Sequence, residues 1–593
     1  MNAASPLPWG HNTFPYDELK HLDSFRLLKL LPGEGSEPIG CTLVHARLSE
    51  VPEYEAISYA WGNVVSEHPV FLGKHEIQVQ QSAYLALHEF RFLDKPRLIW
   101  MDALCIDQSN VAERNQQVNM MRNIFGKAKQ TLIWLGASDS SDEEAVQLLR
   151  DIDREIGIKI FGSQRHRTSE ARQLQCNIRA THLAEDSRIS LRALLGRDWF
   201  RRVWVLQEFA VSSNVKFYCG STDFSLDAYK ITIASLDRTP ELGTVYPALI
   251  NSLRICSFGL RLRHLFRKGR PRRLGWIVKH TAGRFKATDP RDKIFALYGL
   301  IDNCGTAKLE ADYTMTTTQV FRNAVQHILE EDKSTDFFKI ISRVAAMPLG
   351  DLQSSLPSWV PDLSHIGESY RSQLKPIHNA SNGAKKRTRF SGTEKEILHV
   401  HGIILSTVTT VLVFHKNGRD HRRSECDFLL ECKTSLTEKG EYPTGESTDH
   451  VWWRLLICDR YVDGQRRWAK ASEGYPQGSY LDPDVSLPSW SEHASFSEDK
   501  ELEKLQMQYF STKKRTSSNQ NFCITSDGYV GWAPLSTQVG DCVCIFAGAY
   551  APFILRPKDG RYYQLVGNAY VHGIMYGEAV SEDTSKWEEI ELR

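Results

Sequence analysis

Long apolar runs are missing from this 593-residue chain, and so are most of the short motifs that announce a catalytic class. No eighteen consecutive residues are apolar, which argues against a membrane-spanning helix. The opening MNAASPLPWGHNTFPYDELK has neither a basic start nor an apolar stretch, so no secretory signal is expected in it. An excess of one charge is lacking too. With 73 basic and 72 acidic residues the net charge is +1, so no global field draws the chain to nucleic acid or to a membrane. Cysteine is present twelve times, but without pattern. Cys542 and Cys544 are too close for a CxxC pair, and nothing resembles a disulfide framework or a zinc knuckle. A reducing, cytoplasmic setting is expected, with the cysteines serving as small core residues. There is no GxGxxG after a strand, no GxxxxGK[ST], no HExxH and no GxSxG. Cys105 has no evident histidine partner. Neither a metal nor a bound cofactor is expected.

What is present is a patterned first third. Phe25–Leu31 reads as a strand, closed by Pro32-Gly33-Glu34-Gly35. Ala56–Tyr59 reads as another, stopped by Trp61-Gly62-Asn63. Leu98–Met101 is the continuous apolar run of a parallel strand covered on both faces, and Asp102, Asp107 and Gln108 follow it. A helix is predicted from Asn110, with Glu113 completing a capping box and Val111, Val118, Met121, Phe125 and Ala128 as its buried stripe. Thr131–Leu135 is a further buried strand, which makes a right-handed βαβ unit. Asp142–Ile156, Ser190–Leu195 and Arg201–Val211 read as helices, Val215–Cys219 as the next strand, and 225–345 as mostly helical. Leu356–Pro361 is expected to be extended. Ile397–Phe414 is strand-rich, Val451–Trp468 helical. The last ninety residues form short strands around turns such as Asp559-Gly560, a small β-barrel or sandwich.

Three ordered segments carry a specific resemblance: YEAISYAWGN, LIWMDALCIDQSNVAERNQQVNMMRNIFGKAKQTLIWLG and WFRRVWVLQEFAV. Together, over about residues 50–210, they resemble the fungal heterokaryon-incompatibility (HET) domain. ATDPRDKIFALYGLI, ADYTMTTTQVFRNAV and LPSWVPDLS resemble segments that follow it, and GDCVCIFAGAYAPFILRPKDGRYYQLVGNAYVHGIMYGEAV its usual β-rich end. This resemblance implies a role in non-self recognition and programmed cell death after hyphal fusion, with self-association and an allelic partner protein. The implied fold is α/β: a Toll/interleukin-receptor (TIR)-like parallel sheet flanked by helices, then a mainly helical segment and a β-rich C-terminal module. The expected layout is an extension over 1–49, the HET domain over 50–222 and a helical region over 223–365 that completes or packs on it. A linker follows over 366–395, then a mixed segment over 396–470, a polar linker over 471–515 and the β-rich module over 516–593.

A second resemblance bears on chemistry. TIR domains carry a strand like Ile57-Ser58-Tyr59, a strand ending in aspartate like Trp100-Met101-Asp102, and a Trp-x-x-x-Glu helix like Trp204–Glu208. In their catalytic members that glutamate cleaves NAD, so the resemblance makes Glu208 the candidate catalytic residue and NAD(P) a candidate substrate. The long 139–190 stretch, the WGN turn and the CIDQ loop depart from the TIR pattern. A nicotinamide–ribose bond breaks through an oxocarbenium-like state, and one carboxylate that binds ribose hydroxyls and offsets positive charge suffices for it. In an open parallel sheet ligands bind beyond the strand carboxyl ends, where Tyr59, Trp61, Gly62, Asp102 and Asp107 would gather with Trp204 as substrate-binding residues.

Blander readings stand beside these. Glu208 can pair with Arg197, Arg201 or Arg202. Trp61 and Trp204 can be core or wall residues, and Asp102 and Asp107 can cap the loop and helix that follow them. Asp289 and Arg291 read as a structural turn pair. The run RLRHLFRKGRPRR (261–273) has seven basic residues and one histidine in thirteen, compatible with nuclear import or nucleic-acid contact. With few aromatics beside it, a solvated face is the simpler reading, and neither nucleic acid nor membrane is expected as partner.

Overall fold

A computed structural model describes residues 14–62, 64–160, 185–237, 247–281, 283–302, 309–331, 338, 355–364, 377–413, 425–438, 440–462, 468–470, 520–580 and 586–593. Residues 161–184, the 366–376 part of the expected linker and the polar linker over 471–515 lie outside these residues. Two compact units make up the chain, Met1–Val320 and Phe321–Arg593.

The first unit is built on a nine-stranded sheet: β1 (Ser24–Leu30), β2 (Ile39–Arg47), β3 (Glu55–Tyr59), β4 (Val70–Leu72), β5 (His75–Ile77), β6 (Arg97–Trp100), β7 (Gln130–Trp134), β8 (Val215–Cys219) and β9 (Thr222–Ser225). Their order is β5-β4-β2-β1-β6-β3-β7-β8-β9. The centre, β6-β3-β7-β8, is parallel throughout. Antiparallel pairs flank it, β1 on β2 and β6, and β9 on β8. Ala56, Ile57, Ile99, Trp100, Leu132 and Ile133 are all buried, as central parallel strands covered on both faces require.

The long helix between β6 and β7 spans Val111–Lys127, and Asn110 caps it by accepting from the Glu113 amide at 3.2 Å. Its buried face is Glu113, Gln117, Met120, Met121, Ile124 and Phe125, whereas Val111 is 38% exposed. The expected stripe was therefore rotated, because the Glu113 carboxylate turns inward to a buried cation. Arg26 of β1 reaches it with bonds of 2.6 and 2.9 Å. The predicted helix over Arg201–Val211 is shorter: a 3₁₀ turn, Asp198–Arg201, precedes a helix over Val205–Val211, all seven of whose residues are buried. Its last carbonyls are capped from another helix, Pro247–Arg267. Arg263 there donates to Phe209 O, to Ser212 O at 2.7 Å and to Ser213 O at 3.0 Å. Of the basic run only Arg263 and Arg272 are buried, while Arg261, Arg267, Lys268, Arg270 and Arg273 are exposed, as expected of a solvated face. Arg272 also grips Asp302 at 2.6 Å, and Arg261 stacks on Trp276.

In the second unit the strands are β10 (Thr388–Ser391), β11 (Ile397–Leu412), β12 (Arg460–Val462), β13 (Trp468–Lys470), β14 (Asn521–Thr525), β15 (Val530–Ala533), β16 (Cys542–Phe546), β17 (Phe553–Lys558), β18 (Tyr562–Asn568), β19 (Tyr570–Val571) and β20 (Glu588–Leu592). β12 and β13 form a separate ribbon. The long strand β11 pairs with β10, β14, β16 and β20, and register shifts at Ile404/Ser406 and Val408/Thr410 let it bend between them. With β16-β17-β18-β20 joined in series, the β11–β16 pairing closes a small barrel. Val408, Cys523, Val543, Ile554 and Val566 belong to one core cluster. Segments read separately as 396–470 and 516–593 therefore share this sheet through β11. The β17–β18 hairpin turns through Asp559 (φ 52°) and Gly560 (φ 68°), the left-handed pair that an Asp-Gly turn supplies. Leu356–Pro361 is not extended, since Val360 N donates to Pro357 O at 2.9 Å. The two prolines restrict Leu356 and Val360 but leave Ser358 and Trp359 free to turn, and Trp359 is fully buried.

Candidate functional site

β3 and β6 run parallel, so Tyr59 and Asp102 emerge at the same edge of the sheet. The buried Val205–Val211 helix lies against this end and delivers Glu208, which is 3% exposed. Its Oε2 accepts a short hydrogen bond from Ser58 Oγ, and Ser58 Oγ accepts from Trp199 Nε1 at 2.8 Å. A serine that is 1% exposed in a central strand must find such a partner. Among the described residues no cation lies within ion-pair distance of Glu208. Arg197 pairs with Asp142, and the Arg202 guanidinium donates to Tyr59 O and sits 5.5 Å from the Trp61 ring. Burial pushes the Glu208 carboxyl up to about 7, partly offset by the Arg202 charge and the Ser58 bond, while Asp102 adds to the rise.

Asp102 is partly buried. It accepts from Trp61 Nε1 at 2.8 Å and from the Ala103 amide at 2.8 Å, so it both opens the short Asp102–Cys105 helix and holds Trp61. Burial raises its carboxyl too, against the lowering influence of Arg202 and these bonds. The Tyr59 side chain is 1% exposed and its hydroxyl makes no hydrogen bond of good geometry, although the charges of Asp102, Arg202 and Glu208 all reach it. Gly62 sits at φ +73° in the exposed turn after Trp61, a backbone that favours glycine.

Two expected members stand apart. Asp107 closes a turn, accepting from Ser109 N at 3.1 Å and Ser109 Oγ at 2.6 Å, and its own amide donates to Glu113 Oε1 at 2.7 Å. Trp204 is the N-cap residue of the Glu208 helix, and its indole donates to Asp292, which also accepts from the Tyr313 hydroxyl at 2.6 Å. Burial lifts Asp292 to about 6, and it feels Arg202 as well. Asp292 and Tyr313 were not foreseen, because no local signal ties them to Trp204, which precedes Asp292 by 88 residues (292 − 204). Asp289 and Arg291 do form the expected turn pair, at 2.6 Å, and Arg291 also caps the carbonyls of Tyr313 and Met315. Among the described residues no group of three metal-ligating side chains converges, and no helix is long and apolar enough to cross a membrane.

An open parallel sheet with raised carboxyls, an arginine and two aromatics at its carboxyl edge, followed by a closed barrel, defines a class of two-part protein. Residues 54–208 match the family described as "Heterokaryon incompatibility protein (HET)", and residues 433–589 match the "Het-6 beta-barrel domain". The chain is thus similar to HET-domain proteins in its first third and to the barrel domain of such proteins near its end. It is 25% identical, over 98% of both chains, to "Heterokaryon incompatibility protein 6, OR allele" of Neurospora crassa. No solved structure matches it.

Proposed function

We propose that this chain acts in fungal heterokaryon incompatibility, as an effector of non-self recognition and cell death, by hydrolysing the nicotinamide–ribose bond of NAD(P) at Glu208. The observation that carries the reading is a glutamate at the carboxyl edge of a parallel sheet that is raised to about 7 and has no arginine paired to it among the described residues. Such a group is costly to keep unless it is used. As nicotinamide departs, the Glu208 carboxylate accepts from the ribose hydroxyls and offsets the growing positive charge. Asp102 and Tyr59 offer further ribose contacts, and Trp61, backed by Arg202, a stacking face. Glu208 is only 3% exposed, so the reading includes an opening step between Ser58 and Trp61 that self-association or a partner protein supplies.

The same burial favours a second reading. The Trp199–Ser58–Glu208 chain can be a tie between β3 and the Val205–Val211 helix in a module that signals by assembly alone. Nicotinamide release by purified, concentrated protein separates the two. The enzymatic reading expects release that rises with concentration and is lost in Glu208→Gln, which keeps size and hydrogen-bonding reach. Assembled protein that releases none leaves the assembly reading.

A further inference from the structure

Three strands of the second unit bring together a serine, a histidine and two carboxylates that the reading above leaves unused. In the β10–β11 pair Arg389 stands opposite His399, and Ser391 opposite Ile397. On the other side of β11, His399 stands opposite Glu591 and His401 opposite Glu589. Since side chains alternate along a strand, Arg389, Ser391, His399, Glu589 and Glu591 share one face. Ser391 Oγ is 2.6 Å from His399 Nε2. On the far side of the ring, Nδ1 lies 3.3 Å from Glu589 Oε1 and 3.8 Å from Glu591 Oε1, without a well-aligned hydrogen bond to either. The imidazole is 4% exposed, while all four residues of β10 are at least partly exposed.

This arrangement has the polarity of a nucleophile, a base and an orienting acid. Carboxylates beside Nδ1 favour the tautomer protonated there, which leaves the Nε2 lone pair for the Ser391 proton. Arg389 bonds Glu589 at 2.7 Å and holds its carboxyl below the usual range, so it stays ionised. Ser391 ends its strand, and Gly392 turns the chain at φ +91°. The Glu396 carboxylate occupies the space where a Gly392 side chain would stand, and the Glu394 amide donates to it at 3.1 Å. The Glu394 amide is a backbone donor of the kind that stabilises an acyl oxyanion once the Glu396 carboxylate has left it.

We infer that Ser391, His399 and Glu589 form an acyl-transfer site whose substrates are carboxylic esters or other activated acyl groups reaching the exposed β10 face. Ser391 Oγ attacks the carbonyl carbon and its proton passes to His399 Nε2. The tetrahedral alkoxide collapses, the bond to the leaving oxygen breaks, and that oxygen takes the proton from Nε2. Water then attacks the acyl carbon and gives a proton to Nε2, and Ser391 Oγ leaves and recovers it. The sum is ester plus water to acid plus alcohol.

The test is to treat the full chain with a fluorophosphonate, which loses fluoride as it bonds to an activated serine, and to map the adduct by mass spectrometry. Hydrolysis of p-nitrophenyl acetate and of a peptide p-nitroanilide, run alongside, tells ester from amide substrates. The adduct is expected on Ser391, absent in Ser391→Ala, and formed about 100-fold more slowly or worse in His399→Gln, the usual scale for loss of a general base. Absence of the adduct from Ser391 in folded protein, or an undiminished rate in His399→Gln, overturns the site. Should thermal melting show His399→Gln unfolded, Glu589→Gln replaces it: a slowed rate with an altered pH profile supports the site, and an unchanged rate overturns it.

Discussion

Replacing Glu208 by glutamine should stabilise the first unit, increasingly as pH rises above about 4.5 and not in stronger acid. In the folded chain the Glu208 carboxyl titrates at about 7, against 4.5 for an exposed glutamate, because burial disfavours its charged form. A raised folded-state value means that the native chain holds this proton more tightly than the unfolded one. The resulting stability is fully present below pH 4.5, declines as pH rises through the window to about 7, and is gone above it. Each pH unit inside the window costs about 1.4 kcal/mol, so wild type carries a penalty of about 3 kcal/mol at pH 8 that Glu208→Gln lacks. Glutamine can still accept from Ser58, so little else changes. Unfolding of the two proteins, followed between pH 4 and pH 8, should show curves that nearly coincide at pH 4 and diverge by about 3 kcal/mol at pH 8 in favour of the variant. A difference that is constant with pH, or a variant less stable at pH 8, refutes the reasoning about this carboxyl.

Ser58→Ala removes a bond that lowers the Glu208 carboxyl and strands Trp199 Nε1, so the upper end of the pH window over which stability falls should lie higher in the variant, with a loss of about 1–3 kcal/mol at acid pH. Arg26 and Glu113 are 1% and 8% exposed, so Arg26→Ala should cost about 3–5 kcal/mol in denaturant unfolding, whereas Arg26→Met with Glu113→Leu recovers most of it. Arg263→Met strips the caps from the Val205–Val211 helix, and should cost about 3 kcal/mol and raise hydrogen exchange in that helix above the rest of the unit.

The parallel strands were legible because a sheet covered on both faces needs nearly unbroken apolar runs, and Leu98–Met101 and Thr131–Leu135 are such runs. The Asn110 cap and the Asp559-Gly560 turn were legible because each rests on one or two residues and a local backbone shape. Pairings across long separations were not. Nothing near Glu113 announces that it turns inward to Arg26, and nothing near Trp204 announces Asp292. Glu208 itself stood out only through its place in a motif. That Arg202 gives its hydrogen bond to Tyr59 O rather than to Glu208 depends on the 3₁₀ turn before the helix, which apolar periodicity does not mark. Trp61 and Asp102 were each given two readings, ligand contact or structural support, and their mutual bond supplies the structural one without closing the other.

Cellular NAD measured beside viability, in cells expressing wild type or Glu208→Gln at matched levels, tests the central claim most directly. The account predicts that NAD falls before viability is lost with wild type, and that the variant spares both. Equal killing by the two proteins with NAD intact contradicts it.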